Sequence, residues 1–387
     1  MSFALLALIC AVAILGPLVS LNRMVHIPVV IGELGVGILL GQTGLRVINA
    51  DDPILAFMAQ VGFALVMFVA GTHVPLRHRA MVTGLRNGFL RALGVALVAL
   101  PLGFGLARVF GFGNGALYVV LIASSSAGIV LPALGGAQVT ARSGLEMLAQ
   151  LAIADALCIV ALPLVLDPTR ALEAGLGAVV VLLVGAAFLA FLGWAERTGR
   201  RRRLHQISEE RGLAMELRVT LTMLFTLAAF AATMHVSVML AGFTMGLVVS
   251  AVGEPRRISN QTFALTEGFF APIFFVWLGS SLDLRALAGN PRAIGLGLSL
   301  GLAAAFAHGL LALTRQPIVV AVCTSAQLGV PVGAAALGKT MGVLAPGEAT
   351  AMLLGALVTI AIVTALSGRL VELVTAPQVG TNAPRPG

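Results

Sequence analysis

Long apolar runs joined by short polar links set the pattern of this chain. A run of about 17–25 apolar residues can cross a bilayer as a helix. Thirteen such stretches are read, at 2–20, 27–48, 53–72, 88–110, 115–137, 146–166, 173–195, 215–235, 237–252, 262–280, 290–313, 316–338 and 347–371. The thinnest link is Met234-His235. The pattern predicts an all-α polytopic membrane protein. The links carry a charge asymmetry. All but six of the 24 Lys and Arg residues fall on one side, among them Arg23, Arg77, Arg79, Arg86, Arg91, Arg142, Arg256, Arg257 and Arg315. The other side holds Arg46, Arg108, Arg170, Arg285, Arg292 and Lys339. Basic residues mark the cytoplasmic side. The N-terminus is therefore expected outside and the C-terminus in the cytoplasm, in a cell inner (plasma) membrane. An even number of spans would break this alternation.

Composition sharpens the picture. The 387 residues are 59% hydrophobic and 10% charged, against about 25% charged in soluble domains. The net charge of +8 has a topological cause, so no nucleic-acid partner is expected. The run ERTGRRRRLHQISEER (196–211) could meet anionic lipid or nucleic acid, but between two spans it reads as a topogenic cytoplasmic loop. The 45 glycines suit helices packed closely in lipid. Cys10, Cys158 and Cys323 sit in apolar stretches without disulfide or metal spacing, so no cofactor is expected. The first stretch lacks a positive start and is long enough to span, so it does not read as a signal peptide. The tail 372–387 is short and rich in Pro and Gly, and no soluble domain is expected after it.

The chain also repeats itself. VVIGELGVGILL (29–40) matches VMLAGFTMGLVV (238–249), with Gly37 against Gly246. FALVMFVAG (63–71) matches PIFFVWLG (272–279), and SSSAGIVLPAL (124–134) matches TSAQLGVPVGA (324–334), with Pro132 against Pro331. The order is the same in both halves, so the second to sixth spans repeat as the ninth to thirteenth. Five is odd, so the halves are expected to be inverted in the membrane. Inverted repeats with interrupted helices are the build of secondary transporters.

The candidate chemistry lies where those repeats are interrupted. Proline removes a helical hydrogen bond, and in lipid such a break is tolerated only against protein or a water-filled cavity. Ser124, Ser125, Ser126 and Gly128 precede Pro132, while Thr324, Ser325, Gln327 and Gly329 precede Pro331. These four Gly and Pro positions are the expected helix breaks. Two breaks at equivalent positions bring half-helix ends together, and a nearby carboxylate offsets the positive ends. Asp155 is that carboxylate, at the middle of the sixth span. An unneutralised charge at that depth is costly, so the group is expected to hold either a proton or a cation. One site with two competing occupants is enough for exchange. The alternative is an aspartate that only hydrogen-bonds a helix break. Glu33 is the other acid well inside a span, suited either to a cation path or to a packing contact. Glu267 reads as interfacial. His308, the one ionisable base within an apolar span, reads as a packing residue, and Gln150 as facing elsewhere.

IPVVIGELGVGILLGQTGL, VGFALVMFVAGTHVPL, FFAPIFFVWLGSSLDL, and SSSAGIVLPAL followed by IADA resemble the monovalent cation/proton antiporter superfamily. The likeness is to the branch of sodium/proton and potassium-efflux antiporters, over roughly 15–370. The resemblance implies about thirteen helices in two inverted five-helix repeats with crossed broken helices, and a homodimer. It implies a dimerisation scaffold at 1–72 and 215–280, an ion-transporting core at 88–166 and 290–371, a linking helix at 173–195 and elevator-like alternating access. Asp155 takes the place of the ion-binding aspartate, the site of the transported monovalent cation, with Ser125, Ser126, Thr324, Ser325 and Gln327 around it. Glu33 and His308 are accessory. Three departures stand out. Ala154 replaces the first of paired aspartates, as in electroneutral members. The helix that often carries a Lys or Arg has Ala305 and Phe306, with His308 the nearest base. Thr72-His73 stands where an acid is frequent. The form is short, without the nucleotide-binding tail of the potassium-efflux members. The function expected is exchange of sodium or potassium for protons. The alternatives are transport of another solute on the same fold, and a membrane sensor or assembly subunit that does not transport. An enzyme is not expected, since no nucleophile and base pair at matched depth.

Overall fold

The computed structural model describes residues 1–20, 29–72, 81–134, 137, 139–166, 168–211, 213–234, 236–253 and 256–375. Arg23, His73, Arg77, Arg79, His235 and the tail beyond Thr375 lie outside the described residues. Helix occupies each of the apolar stretches above, and no strand occurs among the described residues. In chain order the helices begin with α1 (Phe3–Ala13), α2 (Leu15–Ser20), α3 (Val29–Leu40), α4 (Pro53–Thr72) and α5 (Met81–Phe110). Then come α6 (Gly115–Ala123), α7 (Ala127–Ala133), α8 (Arg142–Leu166), α9 (Ala171–Arg197), α10 (Arg200–Glu210), α11 (Met215–Thr233) and α12 (Val238–Val252). Next, α13 (Arg256–Leu265) runs through a π-helical turn, Thr266–Phe270, into α14 (Ala271–Ser280), and α15 (Leu284–Ala288) follows. α16 (Pro291–Gly309) is prolonged by a 3-10 turn, Leu310–Thr314, and α17 (Ile318–Cys323), α18 (Gly329–Met341) and α19 (Glu348–Thr375) complete the order.

Eight helices are long and apolar enough to cross a membrane: Pro53–Thr72, Gly84–Phe110, Arg142–Leu166, Ala171–Arg197, Met215–Thr233, Asn260–Ser280, Pro291–Thr314 and Glu348–Thr375. Shorter apolar helices join them at Phe3–Leu18, Gly115–Leu131 and Val238–Val252. The fifth and twelfth expected spans are each split in two, as α6 with α7 and α17 with α18. Pro101 and Pro163 lie inside α5 and α8 without dividing them. The basic run 196–211, read as a loop, contains the helix α10.

Glycine sets how closely these helices meet. α4 crosses α12, and α3 crosses α14. A Cβ on Gly246 would lie 2.2 Å from the Phe68 carbonyl oxygen and 2.8 Å from the Gly71 Cα. At the other crossing, a Cβ on Gly279 would lie 2.2 Å from the Leu34 carbonyl oxygen and 2.9 Å from the Gly37 Cα. Both crossings are thus backbone against backbone, a mode that small residues allow in lipid. A second group of helices gathers around α8: α5, α6, α18 and α19 pack on it, and α16 packs on α5, α6 and α19. α9 lies against α8, α11 and α12.

Two buried carboxylates tie this second group at opposite ends. At the arginine-rich end, Glu146 of α8 pairs with Arg91 of α5 at 2.8 Å and with Arg142 at 3.0 Å. Asn87 donates to it at 2.8 Å, and the Arg91 Nε donates to Thr314 Oγ1 at 3.3 Å. At the other end, Glu348 starts α19 and is fully buried. It accepts from Asn114 at 2.9 and 3.1 Å, from the Ala345 N–H at 2.8 Å, and from the Tyr118 hydroxyl.

Two outcomes follow for stability, read as thermal unfolding in detergent. Gly246→Val forces α4 and α12 apart and lowers stability by about 1–3 kcal/mol, whereas Gly193→Ala, with nothing within 4 Å, leaves the midpoint unchanged. Arg91→Ala removes one partner of a buried ion pair and costs about 3 kcal/mol. In a double-mutant cycle with Glu146→Gln, additive losses would show that the pair contributes nothing.

Candidate functional site: two helix breaks and a buried carboxylate

The interruptions come earlier than the prolines suggest. α6 stops at Ala123, the chain is unwound over 124–126, and α7 restarts at Ala127. α17 stops at Cys323, the chain is unwound over 324–328, and α18 restarts at Gly329. Gly128, Pro132, Gly329 and Pro331 therefore lie inside the restarted half-helices, correcting their reading as the breaks themselves. The physical reason lies in the hydroxyls. Ser124 Oγ donates to the Leu121 carbonyl at 2.8 Å, Thr324 Oγ1 to Ala321 at 2.7 Å, and Ser325 Oγ to Val322 at 2.7 Å. Each satisfies a carbonyl at the end of the first half-helix, which lets the helix stop there. Pro331 falls in the first turn of α18, where its missing N–H leaves no ladder bond unmade.

The two breaks touch. Ser125 Oγ donates to the Thr324 carbonyl at 2.7 Å. Thr324 Oγ1 also accepts from Gln150 Nε2 of α8 at 3.2 Å and lies 2.7 Å from His308 Nδ1 of α16. Gln316 Nε2 continues the string, donating to Gln150 Oε1 at 3.2 Å. On the far side, the Gln327 N–H donates to Thr359 Oγ1 of α19 at 3.2 Å. All of these side chains are buried. Gln150 and His308, read as facing elsewhere and as packing, both belong to this polar string. Gln316 and Thr359 were missed, because their partners lie far away in the chain and no local motif marks them.

Asp155 is 1% exposed, and neither of its oxygens has a hydrogen-bond partner among the described residues. Ser126 Oγ and Gln327 Nε2 are also buried without partners. A buried charge without donors is strongly disfavoured, so the carboxyl suits a bound proton or a bound cation. Ser125, Thr324 and Ser325 spend their hydroxyls on the backbone. Ser126 keeps its hydroxyl and Gln327 its amide nitrogen without a partner among the described residues. Glu33 is 3% exposed but sits on α3, which packs on α1, α2 and α14. Its neighbours are Gly16 and Glu267, so it stands apart from the breaks.

A cavity of about 390 Å³ opens near this region. Phe63, Pro163, Glu173, Ser237, Trp277 and Gly333 are among the residues that line it. It is mostly apolar and lies toward the C-terminal ends of α8 and α18 and the N-terminal ends of α4 and α9, the arginine-poor end of the molecule.

Known proteins share this build. The family described as sodium/hydrogen exchanger, transmembrane, matches residues 10–373. YjbQ of Bacillus subtilis is 24% identical over 300 residues, covering 74% of this chain and 48% of its own length. The Na(+)/H(+) antiporter NhaS5 of Synechocystis is 26% identical over 381 residues, covering 91% of this chain and 52% of its own length. The chain thus spans about half the length of these two relatives. The Na(+)/H(+) antiporter of Enterococcus hirae is 25% identical over 287 residues, covering 72% of this chain and 73% of its own. Among solved structures, the sodium proton antiporter MjNhaP1 of Methanocaldococcus jannaschii superposes over 100% of both chains with a TM-score of 0.70 and 16% identity. At that identity the likeness is one of fold. From the match over residues 10–373, the chain is a multi-pass membrane protein that belongs to the sodium/hydrogen exchanger family.

Proposed function

We propose that this protein exchanges a monovalent cation, sodium or potassium, for a proton, with Asp155 as the shared site. The carrying observation is the buried carboxyl of Asp155, which has no hydrogen-bond donor and no basic partner among the described residues. Protonated, it is neutral in the bilayer. Deprotonated, it needs a cation, with the Ser126 hydroxyl and break carbonyls as further oxygen ligands. Proton and cation exclude each other there, so each turnover of the site swaps one for the other. Ala154 supplies no second carboxylate beside it, which favours an electroneutral one-for-one exchange.

The architecture in this reading has thirteen spans in two inverted repeats. The likeness of the two glycine crossings supports it: Gly37 and Gly246 are matched positions, and each meets the glycine of the partner motif, Gly279 and Gly71. Helices α1–α4 and α11–α14 form the dimerisation scaffold of a homodimer. Helices α5–α8 and α16–α19 form the moving core, and α9 links the two. The core carries the site past the scaffold in an elevator-like movement. The arginine-rich end faces the cytoplasm of the cell membrane, with the N-terminus outside.

Proteoliposomes loaded with a pH dye test the exchange. An imposed proton gradient collapses on addition of sodium or potassium, the collapse is unchanged when the voltage is clamped, and Asp155→Asn abolishes it. Collapse that persists in Asp155→Asn would refute the assignment of the site. The pH dependence follows from competition. As pH falls, protons occupy the carboxyl and the apparent KM for the cation rises, by up to about tenfold per pH unit for a single shared proton. Initial rates at several pH values give this slope, and a hundredfold rise per unit would mean that two protons compete.

A further inference from the structure

We propose that Met67 and Met239 form a thioether seal that closes Asp155 off from the cavity at the arginine-poor end. The inference rests on Asp155 as the ion site and adds to it the barrier on one side. Four elements show the same sequence of layers from the cavity inward. On α4, Phe63 lines the cavity, and Met67, one turn further in, is fully buried. On α12, Ser237 and Val238 line the cavity, and Met239 beside them is fully buried. On α8, Pro163 lines the cavity, Leu162 below it is fully buried, and Asp155 lies about two turns in, roughly 12 Å along the axis. On α18, Gly333 lines the cavity, and Gly329, one turn in, opens the half-helix after the break.

The methionines fill the space between these layers. A Cβ on Gly329 would lie 2.9 Å from Met239 Sδ and 3.6 Å from Met67 Sδ. A Cβ on Gly128 would lie 3.9 Å from Met67 Cε, and one on Gly333 3.8 Å from Met239 Cε and 3.2 Å from a Leu162 methyl. The two thioethers thus press on the first turn of α18, and Met67 also reaches the first turn of α7. The surfaces they meet are glycine, flat and without side chains. Methionine is unbranched and flexible, so it fills such a gap tightly and still yields when the opposing surface slides. Both methionines come from α4 and α12, which are joined at their own glycine crossing, and both surfaces they meet belong to the group around α8. The seal therefore sits at the contact between the two groups, where relative movement would open it.

Chemical access to position 155 tests the seal without relying on transport. In a variant with Cys10, Cys158 and Cys323 replaced by alanine, Asp155→Cys gives a single thiol. The impermeant probe trimethylammonioethyl methanethiosulfonate is applied to one face at a time in oriented vesicles. Met67→Ala with Met239→Ala is expected to raise the labelling rate tenfold or more from the face that bears the cavity and to leave the other face unchanged. Leucine at both positions keeps the bulk and is expected to keep the slow rate. Each single alanine variant is expected to rise by a smaller factor, which provides the test where the double variant does not fold. Unchanged labelling in the alanine variants, an equal rise from both faces, or a rise with leucine as large as with alanine would overturn the proposal. The two readings fail separately. Exchange that persists in Asp155→Asn removes the ion site but leaves the labelling result standing, whereas loss of exchange with unchanged labelling removes the seal alone.

Discussion

In hydrocarbon there is no water to accept a stray hydrogen bond, so every backbone group must be matched inside the protein. That constraint decides what a helix may do when it stops at membrane depth. Here it stops twice, at 124–126 and at 324–328. Hydroxyls make both stops affordable: Ser124, Thr324 and Ser325 each bond back to a carbonyl of the turn they end. Ser125 then uses its hydroxyl to fasten one break to the other. The breaks exist as a pair, each holding groups the other would leave unmatched. The carboxyl of Asp155, on α8, is buried and has no hydrogen-bond partner among the described residues, and it is the place the proposed exchange assigns to the ion.

Much of this was legible in the sequence because lipid writes it plainly. The apolar stretches are helical, the small hydroxyl residues mark both interruptions, and Asp155 is buried. What the sequence obscured was of another kind. Proline drew attention to Pro132 and Pro331, yet Pro101 and Pro163 sit within continuous helices, and the chain unwinds at serine and threonine. A proline near the start of a helix costs little, so the residue type alone does not locate a break. The polar string through His308, Thr324, Gln150 and Gln316 was also hidden. Gln150 meets Thr324 across 174 positions and Gln316 across 166, and no local pattern records such a meeting. The π-helical turn at Thr266–Phe270 had no visible signal either.

The two halves of the molecule are held together by different forces. α3, α4, α12 and α14 meet backbone to backbone through glycine, with dispersion between close surfaces as the attraction. The helices around α8 are fastened by charge and hydrogen bonds at their ends, Glu146 with two arginines and Glu348 with Asn114 and Tyr118. The first group is also fastened at its ends, where Thr43 donates to the Leu282 carbonyl and accepts from the Leu284 N–H at 2.9 Å, and the Trp277 indole donates to the Ala50 carbonyl at 2.9 Å. Under the proposed exchange, the buried charges at both ends of the α8 group would let it keep its internal geometry while its surroundings change.

The bond from Ser125 to the Thr324 carbonyl has a consequence for recognition. It fixes the two breaks to each other from within, so α7 and α18 are joined where their chains unwind. Under the proposed exchange, the oxygens of the two breaks would keep one arrangement wherever the surrounding helices stand. An ion arriving from either compartment would then meet the same coordination, and the sign of net flux would be left to the two concentration gradients.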